Sequence, residues 1–94
     1  MKNVKTVEEA VFKYPGVSEP VIEGLFRYVE HKIPTGSFLR AVLENNLSEA
    51  AGRADETNAP KLKEIMVFIY NQLPADSWGD PGRVSAWLKK GDSQ

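Results

Sequence analysis

Thr35, Gly36 and Ser37 stand at the start of a run with helical spacing, and Arg40 follows one turn later. A helix start leaves several backbone N–H groups without internal partners. With the helix dipole, those groups attract phosphate or carboxylate. Arg40 falls on or near the same face as Gly36 and Ser37. Arg53, Asp55 and Asn58 follow a second short helical pattern and can fold back towards that start. A guanidinium is a planar fork suited to phosphate, and Asp or Asn can read a ribose or base edge. Tyr70, Trp78 or Phe38 would offer a stacking face. The chemistry these types suggest is capture of a small phosphorylated or nucleotide-like ligand. The competing reading is structural. Ser37 and Asn58 then serve as caps, Arg53 pairs with Asp55 or Glu49, and Trp78 plugs the bottom of the fold.

Catalytic signals are absent by comparison. His31 is the only histidine. It sits beside Lys32 at a helix end, where a solvated histidine is favoured by the dipole. No Ser or Cys nucleophile motif accompanies it. Asp55–Glu56 and the pair Asp76 and Asp80 lack the ligand count of a calcium loop or zinc site. The chain has no cysteine, which excludes disulfides and thiolate zinc. No glycine-rich phosphate loop or dinucleotide fingerprint appears. The expectation is a protein that is not an enzyme, with no metal and no cofactor. If chemistry occurs, Glu44, Asp55 or His31 must supply the base.

The 94 residues suffice for one domain, set at 1–94 with its core at about 6–90. Twelve basic and thirteen acidic side chains nearly cancel and are interleaved, which argues against nucleic-acid partners. Met1 to Lys13 carries no apolar leader segment. Ile65 to Tyr70 is the densest apolar stretch and is too short to span a bilayer, so no membrane is expected.

The elements that must position these residues are helices. Thr6 with Glu9 forms a capping box before a helix that stops at Tyr14–Pro15. Ser18 and Pro20 open a second, striped by Val21, Ile22, Leu25, Phe26 and Val29, which ends near Lys32. Gly24 inside it suggests a close helix crossing. A third runs from Thr35–Ser37 to a break at Asn45–Asn46, and Asn46 with Glu49 starts a fourth, about Leu47 to Ala54. The third and fourth can be read as helix-turn-helix, but Glu49 and Asp55 disfavour a DNA role. Thr57 or Asn58 caps a fifth, with Pro60 in its first turn. Apolar on many sides, it is expected to be the most buried. Asp80–Pro81 begins a last helix with Val84, Trp87 and Leu88 inward, before a frayed tail at Gly91 to Gln94. No period-two alternation appears, so the fold expected is an all-α compact bundle of five or six short helices.

The run Ile33-Pro34-Thr35-Gly36-Ser37-Phe38-Leu39-Arg40-Ala41-Val42-Leu43-Glu44-Asn45-Asn46-Leu47, then Gly52-Arg53-Ala54-Asp55, Asn58, Tyr70-Asn71, Pro74, Trp78-Gly79, Val84 and Trp87-Leu88, resembles a family of small phage and prophage proteins. The resemblance covers roughly Tyr28 to Leu88. The family pattern often has Asp where this sequence has Asn46, which alters one cap or one ligand contact. No biochemical activity comes with the family. The resemblance implies an accessory protein in the cytoplasm of an infected bacterium, where small phage proteins often counter host defence. One class does so by sequestering nucleotide signals. On this reading Thr35, Ser37, Arg40 and Arg53 hold phosphate, Asp55 and Asn58 read polar edges, and Tyr70 or Trp78 stacks. A homo-oligomer would add pockets. The alternative is an inhibitor that binds a host protein through an aromatic patch around Tyr28, Trp78 and Trp87.

Overall fold

The computed structural model describes residues 1–54, 56 and 59–92. Its described residues form six α-helices and two 3-10 turns: α1 (Val7–Lys13), α2 (Glu19–His31), α3 (Ser37–Leu43), α4 (Leu47–Arg53), a turn at Ala59–Lys61, α5 (Leu62–Gln72), a turn at Ala75–Ser77, and α6 (Pro81–Asp92). The all-α bundle expected from the sequence is what forms. Its shortest dimension is 18 Å, room for about two layers of helices roughly 10 Å across. Among the described residues no helix is long and apolar enough to cross a membrane.

The boundaries follow the local signals. The Thr6 side chain accepts from Glu9 N–H, and the Glu9 carboxylate accepts from Lys5 N–H at 2.7 Å. Asn45 takes a left-handed φ of 61°, and Asn46 caps α4 by accepting from Glu49 N–H. Asp80 accepts from Arg83 N–H at 2.8 Å and opens α6. Three expectations need correction. Pro60 lies in a 3-10 turn, and α5 begins only at Leu62; the proposed caps Thr57 and Asn58 lie outside the described residues. Gly91 belongs to α6 and not to a tail, while Ser93 and Gln94 lie outside the description. A Cβ on Gly24 would meet Leu39 at an ordinary 3.6 Å, so no tight crossing demands that glycine.

The centre of the core is α2, not α5. It buries Val21, Ile22, Leu25, Phe26, Tyr28 and Val29. On α5 the buried side is Ile65, Phe68, Ile69 and Gln72, whereas Val67 and Tyr70 face out. Gln72 can be buried because its amide is satisfied. Its Oε1 accepts from Asn3 N–H at 2.8 Å, and its Nε2 donates to the Tyr14 hydroxyl at 2.7 Å. This clips the N-terminal segment, with buried Val4, to the end of α5. Among the described residues every buried side-chain nitrogen and oxygen has a partner.

Tyr28 joins the core to the later loop. Its hydroxyl donates to the Ser77 carbonyl at 2.6 Å. Burial pushes its phenol up from 10.0 to about 12, against a lowering by Arg40 and with a raising by Glu44. The folded chain therefore holds this proton more tightly than the unfolded chain does. The stabilisation is fully present below about pH 10 and is lost as pH rises towards 12. Denaturant midpoints measured from pH 9 upward should fall more steeply for the native chain than for Tyr28→Phe, because only the native phenol is coupled to folding.

Candidate functional site

The helix start at Thr35–Ser37 is simple. Gly36 is the N-cap of α3 and makes no side-chain cap bond, so Ser37 is the first helical residue and not the cap. The Thr35 hydroxyl donates to the Gly36 carbonyl at 3.2 Å. With only seven residues in α3, this start brings little dipole of its own, and the weight falls on the arginines. Arg40 Nε lies 2.9 Å from Glu44 Oε2. Arg53 lies 2.9 Å from Glu49 on the same helix. The Arg53–Glu49 pair, half exposed at both ends, is worth roughly 0.3–0.5 kcal/mol, so Arg53 can turn to an anionic ligand at small cost. The Arg40 pair is more sheltered, with Glu44 only 21% exposed.

The loop after α5 is more firmly built. Gly79 N–H donates to the Leu43 carbonyl at 2.7 Å, which fastens the loop to the C-terminal end of α3. The Tyr28 hydroxyl holds Ser77 from below, and Ser77 Oγ donates to the Pro74 carbonyl at 2.7 Å. Arg83 reaches back to the carbonyls of Ala75 and Trp78. Gly79 has φ of +120°, and Arg83 lies over the space a side chain there would enter. Between these fastenings Trp78 is half-buried. Its ring meets Tyr70 edge-on, with centroids 6.2 Å apart. Tyr70 is 71% exposed. Trp78 is thus a half-buried aromatic on a fixed loop, packed against both the core and Tyr70. The tryptophan whose N–H reaches a carbonyl is Trp87, which donates to Tyr28 at 2.9 Å.

Arg40 and Glu44 both act electrostatically on the Tyr28 hydroxyl, which lies directly under Ser77 and the Trp78 loop. The Gly79–Leu43 bond brings Trp78, with Tyr70 against it, to the C-terminal end of α3, while Arg40 lies midway along that helix. Gly36 sits one turn before Arg40, whose N–H donates to the Gly36 carbonyl at 2.9 Å. Arg53 lies on α4, which packs against α3. Asp55 and Asn58 lie outside the described residues. Phe38 is buried in the core and offers no stacking face. Tyr28 and Trp87 are also buried, which corrects the patch expected around them. Of the candidate bases, Glu44 is paired to Arg40 and His31 is exposed at the end of α2.

The sequence reading passed over two clefts along α2. One, of about 250 Å³, is lined by Lys5, Arg27 and His31 among others. The second, of about 400 Å³, is lined by Glu30, His31, Lys32, Lys90 and Gly91. Lys89–Lys90 and His31–Lys32 read in sequence only as cations at two helix ends. Nothing in the sequence says that those ends meet. Among the described residues no group of three or more His, Cys, Asp or Glu is placed to hold a metal.

Fold and site together define a small helical bundle that displays an aromatic corner on a loop fastened to the helix that carries Arg40. Comparisons with known protein families, curated proteins and solved structures find no match.

Proposed function

We propose that this chain is a non-enzymatic phage accessory protein that binds and sequesters a small phosphorylated or nucleotide-derived signal in the bacterial cytoplasm. The observation that supports this most is the Tyr70–Trp78 corner, held by the Gly79 and Tyr28 hydrogen bonds on a loop fastened to α3, the helix that carries Arg40. A rigid aromatic edge costs little entropy when a flat base packs on it. The Arg40 guanidinium, once freed from Glu44, then meets the phosphate. Arg53, one helix further along the same hairpin, adds a second cation for a larger or dimeric site.

Incubation with a nucleotide mixture followed by ultrafiltration tests this. A ligand should be retained, be recovered chemically unchanged after long incubation, and be lost from Trp78→Ala and Arg40→Ala. Steady conversion of the retained ligand would mean an enzyme instead. A second reading is favoured by the exposure of Val67 at 43% and Tyr70 at 71% on one side of α5. The same corner then docks on a host protein and blocks it. In that case no small molecule is retained, and Tyr70→Ala abolishes capture of one dominant protein partner.

A further inference from the structure

The two clefts along α2 adjoin at Glu30 and His31, which line both. Among the described residues this double groove is lined by four permanent cations, Lys5, Arg27, Lys32 and Lys90, against two carboxylates, Glu23 and Glu30. Among the described residues that is a surplus of two positive charges counting His31 as neutral, or of one when Asp76, a partner of Lys90, is included. The chain as a whole carries a net charge of −1, so the described lining has the opposite sign.

The cations come in two pairs. At one end Lys5 and Arg27 flank the entry to α1 and the outer face of α2. At the other, the ends of α2 and α6 meet so closely that a Cβ on Gly91 would lie 2.7 Å from Lys32 Cβ. Lys32 and Lys90 each place their ammonium 4.5 Å from the centre of the Trp87 ring. A single buried tryptophan thus gathers both charges at the mouth of the groove. Neutralising two helix dipoles accounts for Lys32 and Lys90. It accounts for neither Lys5, which precedes α1, nor Arg27, which lies within α2. Arg27 pairs with Glu23 at a loose 3.9 Å, and both are about half exposed. Lys90 pairs with Asp76 at 3.0 Å in solvent. Exposed pairs of this kind exchange readily for a better anion.

We propose that this groove is a second binding site, for a small molecule carrying two anionic groups. Lys5 and Arg27 hold one group, Lys32 and Lys90 hold the other, and His31 lies between them. The nearly buried Phe26 gives the first half an apolar floor. The site stands independently of the Arg40–Trp78 corner.

The test is an NMR titration of the full chain with inorganic phosphate, pyrophosphate and a hexose bisphosphate. The single histidine and the Trp87 indole N–H serve as reporters. The bisphosphate should move both signals and bind at least about tenfold tighter than phosphate, as expected when one tethered group follows another. Lys5→Gln with Arg27→Gln should remove that advantage, and so should Lys32→Gln with Lys90→Gln. Arg40→Ala should leave it intact, which separates this site from the aromatic corner. Lys5 and Arg27 are both exposed and lie outside α6, so the first pair's result stands even if the second pair loosens α6. The proposal is overturned if the bisphosphate binds no tighter than phosphate, if neither reporter moves, or if the Lys5 and Arg27 substitutions change nothing.

Discussion

Trp87→Ala should cost about 3–5 kcal/mol of stability, the range for losing a large buried aromatic. Trp87 is 7% exposed and joins α6 to α2 in three ways. Its ring packs on Tyr28 at 6.4 Å, its N–H donates to the Tyr28 carbonyl, and its faces hold the ammonium groups of Lys32 and Lys90. Truncation leaves a cavity, takes one of two donors from the Tyr28 carbonyl, which keeps the Lys32 N–H at 3.1 Å, and strips two cations of their aromatic partner. A small domain holds only about 5–15 kcal/mol in total, so this change takes a large part of it. Urea denaturation gives the loss directly. Trp87→Phe should recover most of the packing but not the hydrogen bond, leaving a deficit of about 0.5–1.5 kcal/mol, since the Tyr28 carbonyl keeps the Lys32 N–H. A loss below 1 kcal/mol for Trp87→Ala would show that α6 is not anchored as described.

Gly79→Val is the second large effect, and it links stability to the site. At φ of +120° a β-branched residue is strained, and a Cβ there would stand 3.2 Å from Arg83 Nη1. Strain of this kind costs about 1–3 kcal/mol. The loop can relieve it only by giving up the Gly79–Leu43 hydrogen bond or the Arg83 contacts. Either escape releases Trp78 from its place against Tyr70. Gly79→Val should therefore lower the denaturation midpoint and also weaken ligand retention. Arg83→Ala, which removes the obstacle but keeps the glycine, should cost far less stability.

Much of the helix layout was legible because its punctuation is chemical. Tyr14–Pro15, Asn45–Asn46 and Asp80–Pro81 each have one local reason to break or begin a helix, and each does so. The arginine pairs were legible too, since Arg40 to Glu44 and Glu49 to Arg53 are both four apart. The outward side of α5 was not. Ile65, Met66, Val67, Phe68, Ile69 and Tyr70 surround the helix with apolar side chains, so periodicity cannot choose a face. The choice is made by distant partners: Asn3 and Tyr14 satisfy Gln72 and thereby fix which side turns inward. The same limit hid the Trp78 fastenings and the basic groove. Both depend on residues far apart in sequence, such as Tyr28 with Ser77 and Lys32 with Gly91.

The central claim is that Arg40 and the Trp78 corner bind a small phosphorylated or nucleotide-like ligand. Thermal unfolding against a panel of nucleotides, cyclic nucleotides and ADP-ribose derivatives tests it most directly. A ligand present at about 100 times its dissociation constant should add roughly 2.7 kcal/mol. For a domain of this size that is a rise on the order of 10 °C in midpoint. The account predicts such a rise for a narrow set of ligands, abolished by Arg40→Ala and by Trp78→Ala. A flat panel, or a rise that both substitutions leave intact, would contradict it.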